Sequence, residues 1–197
     1  MISGISVHDL MIPQSILHGI IESIPKDDIG PAEVMDSEGK IVVKPKTRSC
    51  QVQPITLNYW FVGMLWFYIQ KQNEVAYRYD ITTFDKDMIY YIEYNPGDHY
   101  TWHSDMTSHN YYYNQNMSSQ VFHQIATYTR KLSFSLFLND DYTGGELQFV
   151  TPQRTITVPA KAGKLIIFDS SILHRVRKVK TGQRRVLTGW VIGPYWK

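Results

Sequence analysis

The sequence predicts a mostly β chain with N-terminal helices, an α+β domain whose strands form a two-sheet antiparallel sandwich or jelly roll backed by helices. From Asp87 onward, short runs rich in β-branched and aromatic residues are separated by Gly, Pro, Asn and Asp about every ten residues, with no helical stretch between them. Ahead of these runs lie two segments with helical spacing or helical length. A length of 197 residues fits one domain with a sizeable core. We therefore read 1–197 as a single domain, with 1–84 as a helical support region and 85–192 as the strand-rich core.

Between Pro13 and Ile24, the residues Ile16, Leu17, Ile20, Ile21 and Ile24 recur at three- and four-residue spacing, which puts them on one side of a helix that Pro25 ends. Residues 25–48 carry Pro25, Gly30, Pro31, Gly39 and Pro45 among many charges and read as a loop with a short hairpin about Ser37-Glu38-Gly39. Residues 57–72, LNYWFVGMLWFYIQKQ, have helix length and apolar side chains nearly all round. A heavily buried helix is expected there, with Trp60, Met64, Trp66 and Phe67 as core packing. Strands are expected at 88–94, around Tyr100, and at 130–139, 146–150, 154–158, 164–169, 174–179 and 184–192, with turns at 140–145 and 159–163. The polar stretch 106–129, rich in Asn, Ser and Tyr, reads either as a lid or as a surface insertion.

Composition narrows the partners. With 20 Lys and Arg against 18 Asp and Glu the net charge is +2, far from the concentrated basic surplus of a dedicated nucleic-acid binder. The single cysteine, Cys50, excludes an intramolecular disulfide and a thiolate metal cluster, so nothing calls for an oxidising compartment. His8, Asp9, Gln14, Ser15 and His18 interrupt the N-terminal stretch, which lacks the basic start and unbroken apolar core of a signal peptide. The longest apolar run, 59–69, falls short of the roughly 20 residues that cross a bilayer. A cytoplasmic protein with no membrane partner is expected, and the oligomeric state is left open.

Two stretches concentrate the chemistry. Residues 91–105, YIEYNPGDHYTWHSD, run from a strand through a Pro-Gly turn to His103 and Asp105, which are two apart and share a side of an extended chain. Residues 168–190 offer His174 after an apolar strand and Arg184 ten residues later. Two imidazoles and one carboxylate can hold Fe(II) on one face and leave the opposite positions open for a co-substrate and O2. An H-x-D triplet alone is common; the second stretch gives it weight. His99, His109 and His123 fall outside the pattern, His8 and His18 read as solvated residues of the helical region, and Asp98, Asp140, Asp141, Glu146 and Asp169 read as turn or surface carboxylates.

The ordered set Tyr94-x-x-Gly97-x-x-Tyr100-x-x-His103-x-Asp105, Arg130-Lys-Leu-Ser133, Leu138-Asn139, Gly144-Gly145-Glu-Leu147, Pro159-x-x-x-Gly163, His174, Gly182-x-Arg184 and Trp190 resembles the Fe(II)- and 2-oxoglutarate-dependent dioxygenases. Within them it is most similar to the prolyl 4-hydroxylase-like branch, which includes small bacterial and bacteriophage members. The resemblance covers about 85–192 and implies a double-stranded β-helix, a cupin-like jelly roll, as the catalytic core. It further implies His103, Asp105 and His174 as the iron ligands. Arg184, rather than its neighbour Arg185, is the implied partner of the far carboxylate of 2-oxoglutarate, a task that suits a planar two-pronged donor. By the same resemblance Tyr94 and Ser133 hydrogen-bond the co-substrate, and Tyr100, Arg130 and Trp190 line the substrate side of the pocket. The implied cofactors are Fe(II), 2-oxoglutarate and O2, with ascorbate as an accessory reductant, and the implied reaction is hydroxylation of an unactivated C–H bond.

For the substrate, the branch implies a prolyl residue in a peptide or protein. Two positions depart from its pattern: Ile192 is apolar where some peptide-hydroxylating relatives have a polar contact, and Phe137 stands where a tyrosine is often found. Small-molecule substrates therefore stay open. Nucleic-acid demethylation within the same superfamily is an alternative, but those enzymes carry a second arginine six residues after the co-substrate arginine, where this chain has Trp190. A non-catalytic ligand-binding β-sandwich is the third reading, against which the intact triad and Arg184 speak. If the chain is viral, its place is the host cytoplasm.

Overall fold

The computed structural model describes residues 4–35, 38–106 and 128–196. The chain runs β1 (Ile5–Asp9), α1 (Gln14–Ser23), β2 (Gln51–Thr56), α2 (Trp60–Gln72), β3 (Met88–Tyr94), β4 (His99–His103), β5 (Tyr128–Phe137), β6 (Leu147–Val150), β7 (Thr155–Val158), β8 (Lys164–Asp169), β9 (His174–Val176) and β10 (Arg184–Pro194), with minor two- and three-residue pairings between them. Two antiparallel sheets result. The larger has the order β1-β8-β5-β10-β3-β2, and the smaller the order β7-β6-β9-β4, extended at its edge by Arg48–Ser49.

Strand period two decides which residues face the space between the sheets. On the larger sheet Ile92, Tyr94, Phe137, Ile166, Phe168 and Val186 face inward and pack with Leu147, Phe149 and Val176 of the smaller sheet. The alternate residues Ile89, Tyr91, Phe134, Leu136, Leu165, Ile167 and Leu187 face the other way, against Leu17, Ile20, Phe61, Leu65 and Ile69 of the helices. Burial on both faces explains why these strands read as near-continuous apolar runs rather than alternating ones. Each fully buried Leu, Ile or Phe contributes about 1.5–3 kcal/mol, so the helices anchor one face of the larger sheet while its other face packs on the smaller sheet.

The helix expected before Pro25 forms at Gln14–Ser23, and the expected hairpin appears as Val34–Met35 paired with Ile41–Val42. Several local expectations are corrected. Trp60 and Phe67 are more than half exposed, because α2 packs on the larger sheet by one side only, through Phe61, Val62, Leu65 and Ile69. The run 174–179 is split into β9 and a separate short strand, Val179–Thr181, which pairs with Thr143–Gly144. The strands β1 and β2, absent from the sequence reading, lie within 1–84 and extend the larger sheet at its two ends. His8 accordingly sits half-buried on β1 beside Gln72 rather than solvated on a helix. His109, His123 and nearly all of the stretch 106–129 lie outside the described residues.

Candidate active site

The smaller sheet brings His103 and His174 together. The two are directly paired across β4 and β9 although 71 positions separate them in sequence, and their ring centroids are 4.1 Å apart. A bulge in this pairing, His174 opposite His103 but Val176 opposite Tyr100, turns both His103 and Tyr100 inward. Their rings stack at 3.5 Å and 16°. Asp105 lies just past the end of β4, where its N–H donates to Ser170 O at 2.9 Å and Arg130 Nη1 reaches its carbonyl at 3.4 Å.

Each imidazole uses one nitrogen to hold its orientation. His103 Nδ1 meets Thr101 O at 2.8 Å and His174 Nδ1 meets Ile172 O at 2.9 Å. Since a carbonyl only accepts, Nδ1 carries the proton in both rings, and both Nε2 atoms face the aspartate. His103 Nε2 lies 3.6 Å from Asp105 Oδ1, and His174 Nε2 lies 3.4 Å from Oδ2. One ligand atom from each of the three residues falls within 4.8 Å of the others. Cis donors at about 2.1 Å from a common ion are about 3 Å apart, so small side-chain adjustments suffice for the three to share one.

The electrostatics prepare the same set. Burial, then the neighbouring His174, pushes the His103 pKa down to about 4, which keeps that ring neutral and its lone pair available. Burial opposes ionisation of Asp105, yet His174, His103 and a hydrogen bond from Ser133 hold its pKa below the usual carboxylate value. Two imidazoles and a carboxylate form the donor set of a non-haem iron site.

Arg184, the first residue of β10, supplies the opposite chemistry in the same cavity. It is 1% exposed, and its Nε and Nη1 have no hydrogen-bond partner among the described residues. Its guanidinium lies 5.0 Å from the rings of both Tyr94, its direct cross-strand partner, and Phe137, and a hydrogen bond links it to Tyr142. A Cβ on Gly145 would sit 3.1 Å from Arg184 Cδ and 2.9 Å from Val179, which explains the glycine at that position. A buried guanidinium with unused donors and no carboxylate partner is costly to leave alone, by several kcal/mol, and is matched by a bound anion. Arg185 points the other way, toward Gln183 and Glu93.

The cavity collects some of the sequence-read residues and rejects others. Tyr94, Tyr100, His103, Asp105, His174, Arg184 and Trp190 all line it. Ser133 does not: its hydroxyl is spent on Ser170 at 3.0 Å and on Asp105, and Ser135 is the serine of β5 that reaches the cavity. Arg130 is likewise corrected from a pocket residue to a buried clamp. It pairs with Asp85 at 2.5 Å, stacks its guanidinium 3.7 Å from the Trp190 ring and holds the Asp105 carbonyl. Arg48, Ser135 and Thr188 were missed. The period-two rule applied to β5 and β10 would have found the last two; Arg48 lies in the featureless 25–48 stretch and had no sequence signal. It stacks 4.8 Å from Tyr100, with its Nε buried and unpartnered, between the cavity and a neighbouring groove. Asp98 and Asp169 are turn residues as read, bonding Asn95 N and Ser171 N at 2.8 Å each.

A family model described as the 2OG-Fe(II) oxygenase superfamily matches residues 89–192, more than half of the chain. The chain belongs to that superfamily. Its cofactors are those of the family, Fe(II), 2-oxoglutarate and O2. Among curated proteins this oxygenase is 48% identical over 62 residues to a PKHD-type hydroxylase of Prochlorococcus marinus, covering 30% of this chain and 28% of that one. It is 35% identical over 103 residues to a PKHD-type hydroxylase of Crocosphaera subtropica, covering 51% and 40%. The matched part thus spans well under half the length of these relatives. Among solved structures, a Pseudomonas putida prolyl-4-hydroxylase superposes with a TM-score of 0.66 at 18% identity, over 98% of this chain and 94% of that one. A viral collagen prolyl hydroxylase from Paramecium Bursaria Chlorella virus-1 gives 0.68 at 14% identity, over 96% of each. The fold is the double-stranded β-helix of these oxygenases. No helix among the described residues is long and apolar enough to cross a membrane.

Proposed function

We propose that this chain is a 2-oxoglutarate-dependent hydroxylase of a prolyl residue in a peptide or protein, acting in the cytoplasm. One observation carries the reaction class: three convergent metal-ligand groups share a cavity with a buried guanidinium whose Nε and Nη1 have no hydrogen-bond partner among the described residues. His103, Asp105 and His174 hold the iron, and Arg184 holds the distal carboxylate of 2-oxoglutarate. When bound, iron and the 2-oxo acid supply oxidative decarboxylation coupled to hydroxylation of a C–H bond.

The chain's own residues place and shield. Arg184 fixes one end of the co-substrate by charge-assisted hydrogen bonds, while Tyr94, Phe137 and Val186 exclude water around it. The carbonyls of Thr101 and Ile172 keep both Nε2 atoms on the metal side. Tyr100, Trp190 and Arg48 stand at the substrate side. Residues 85–192 form the catalytic core, and 1–84 support it within one domain. The names of the curated relatives, PKHD-type hydroxylases, support hydroxylation, and support for the prolyl target comes from neighbours named prolyl hydroxylases, one of them, from Trichoplax adhaerens, in complex with a hypoxia inducible factor peptide fragment.

Anaerobic addition of Fe(II) and 2-oxoglutarate tests the reaction class. A metal-to-ligand charge-transfer band in the wild type that is absent in His174→Ala supports it, and no band in either sinks it. Succinate release stimulated by proline-containing peptides, and not by their alanine counterparts, tests the substrate.

A further inference from the structure

The strands that carry His103 and His174 inward display a second, unassigned surface on their other side. Arg175 and Arg177 leave β9 on the face opposite His174 and Val176, and the bulge that turns His103 and Tyr100 inward leaves Thr101 and Trp102 exposed between them. With Lys178, Lys180, His99 and Glu146 they line a groove of about 410 Å³ that adjoins the iron cavity and shares Tyr100 and Val176 with its lining.

Arg175 is held in place before any ligand arrives. Its Nε donates to Gln148 Oε1 at 2.8 Å, Gln148 Nε2 donates in turn to Thr157 Oγ1 at 2.9 Å, and the guanidinium stacks 4.4 Å from the Trp102 ring. This leaves Nη1 and Nη2 without a partner among the described residues, in a fork suited to a carboxylate. Arg177 makes only a long contact of 3.7 Å with Glu146, and Lys178 and Lys180 have no acidic partner among the described residues. Four cations thus meet one carboxylate in a chain whose whole net charge is only +2.

We propose that this groove binds an extended acidic segment of a partner polypeptide, with Asp or Glu at every second position. Side chains two apart on a strand are about 6.6–7 Å apart, so Arg175 and Arg177 present the same repeat that the acidic residues of an extended ligand would. A nucleic acid fits less well. Arg175 already covers the Trp102 face on which a base would stack.

The test is fluorescence anisotropy of the full chain with a labelled decapeptide carrying Glu at alternate positions, at low and moderate salt. A Lys counterpart and a single-stranded oligonucleotide of equal charge serve as comparisons. The expected result is salt-sensitive binding of the acidic peptide, weakened about tenfold or more in Lys178→Glu/Lys180→Glu. The charge-transfer band with Fe(II) and 2-oxoglutarate stays unchanged in that variant, which shows that it is folded. Equal binding of the Lys peptide, no loss in the variant, or binding that ignores salt in the wild type overturns the proposal. Tighter binding of the oligonucleotide overturns the polypeptide assignment.

Discussion

Replacing Arg184 by Met separates the cost of an unpaired buried charge from the value of a paired one. In the ligand-free protein Arg184 is almost completely buried, with two of its guanidinium nitrogens unpartnered. Methionine fills much of the same space without the charge, so relief of desolvation stabilises the ligand-free fold by about 1–4 kcal/mol. At about 2–4 °C per kcal/mol for a chain of this size, the melting temperature rises by several degrees, opposite to the usual result of a core truncation. With 2-oxoglutarate the sign reverses. Removing one partner of a buried charge pair costs about 3–5 kcal/mol, which weakens 2-oxoglutarate by between about a hundredfold and a few thousandfold. Fe(II) affinity is unaffected, because the three ligand groups do not touch Arg184. Calorimetry with and without 2-oxoglutarate reads both effects, and an anaerobic titration of the charge-transfer band reads the affinity. A loss of 2-oxoglutarate affinity below about tenfold, or a parallel loss of Fe(II), refutes the reasoning.

Three further outcomes follow from named contacts. Arg130→Ala removes the buried ion pair with the Asp85 carboxylate and loses the Trp190 stack, so urea unfolding should show a loss of about 3–5 kcal/mol. A Ser133→Ala change removes a hydrogen bond to Asp105 and weakens Fe(II) about tenfold, whereas Ser135→Ala leaves Fe(II) binding intact and alters only ligands in the cavity; anaerobic metal titration separates the two. Cys50 is buried, and its pKa is raised, chiefly by that burial. Alkylation followed by mass spectrometry should therefore be about tenfold or more slower in the native protein than in urea.

The amino-acid order alone set most of the strand runs and the turns, because period-two patterning and turn residues are local properties of the chain, but it missed β1 and β2 and ran 174–179 together; the resemblance to a known family singled out His103, Asp105, His174 and Arg184. The same resemblance placed Tyr94, Tyr100 and Trp190 in the pocket they line. It misjudged Ser133 and Arg130, whose side chains are taken by Ser170, Asp105 and Asp85, partners remote in sequence. Trp60 and Phe67 looked like core because composition records how apolar a helix is and not which of its sides a sheet will cover. Arg48 was invisible, since only the pairing of Arg48–Ser49 with β4 brings it over Tyr100. Tertiary structure alone decided that His103 and His174 face each other across one strand pair and that Arg184 is buried with no acidic partner among the described residues. Both depend on register between segments dozens of residues apart, and register is fixed by burial of the whole sheet rather than by any one of its strands.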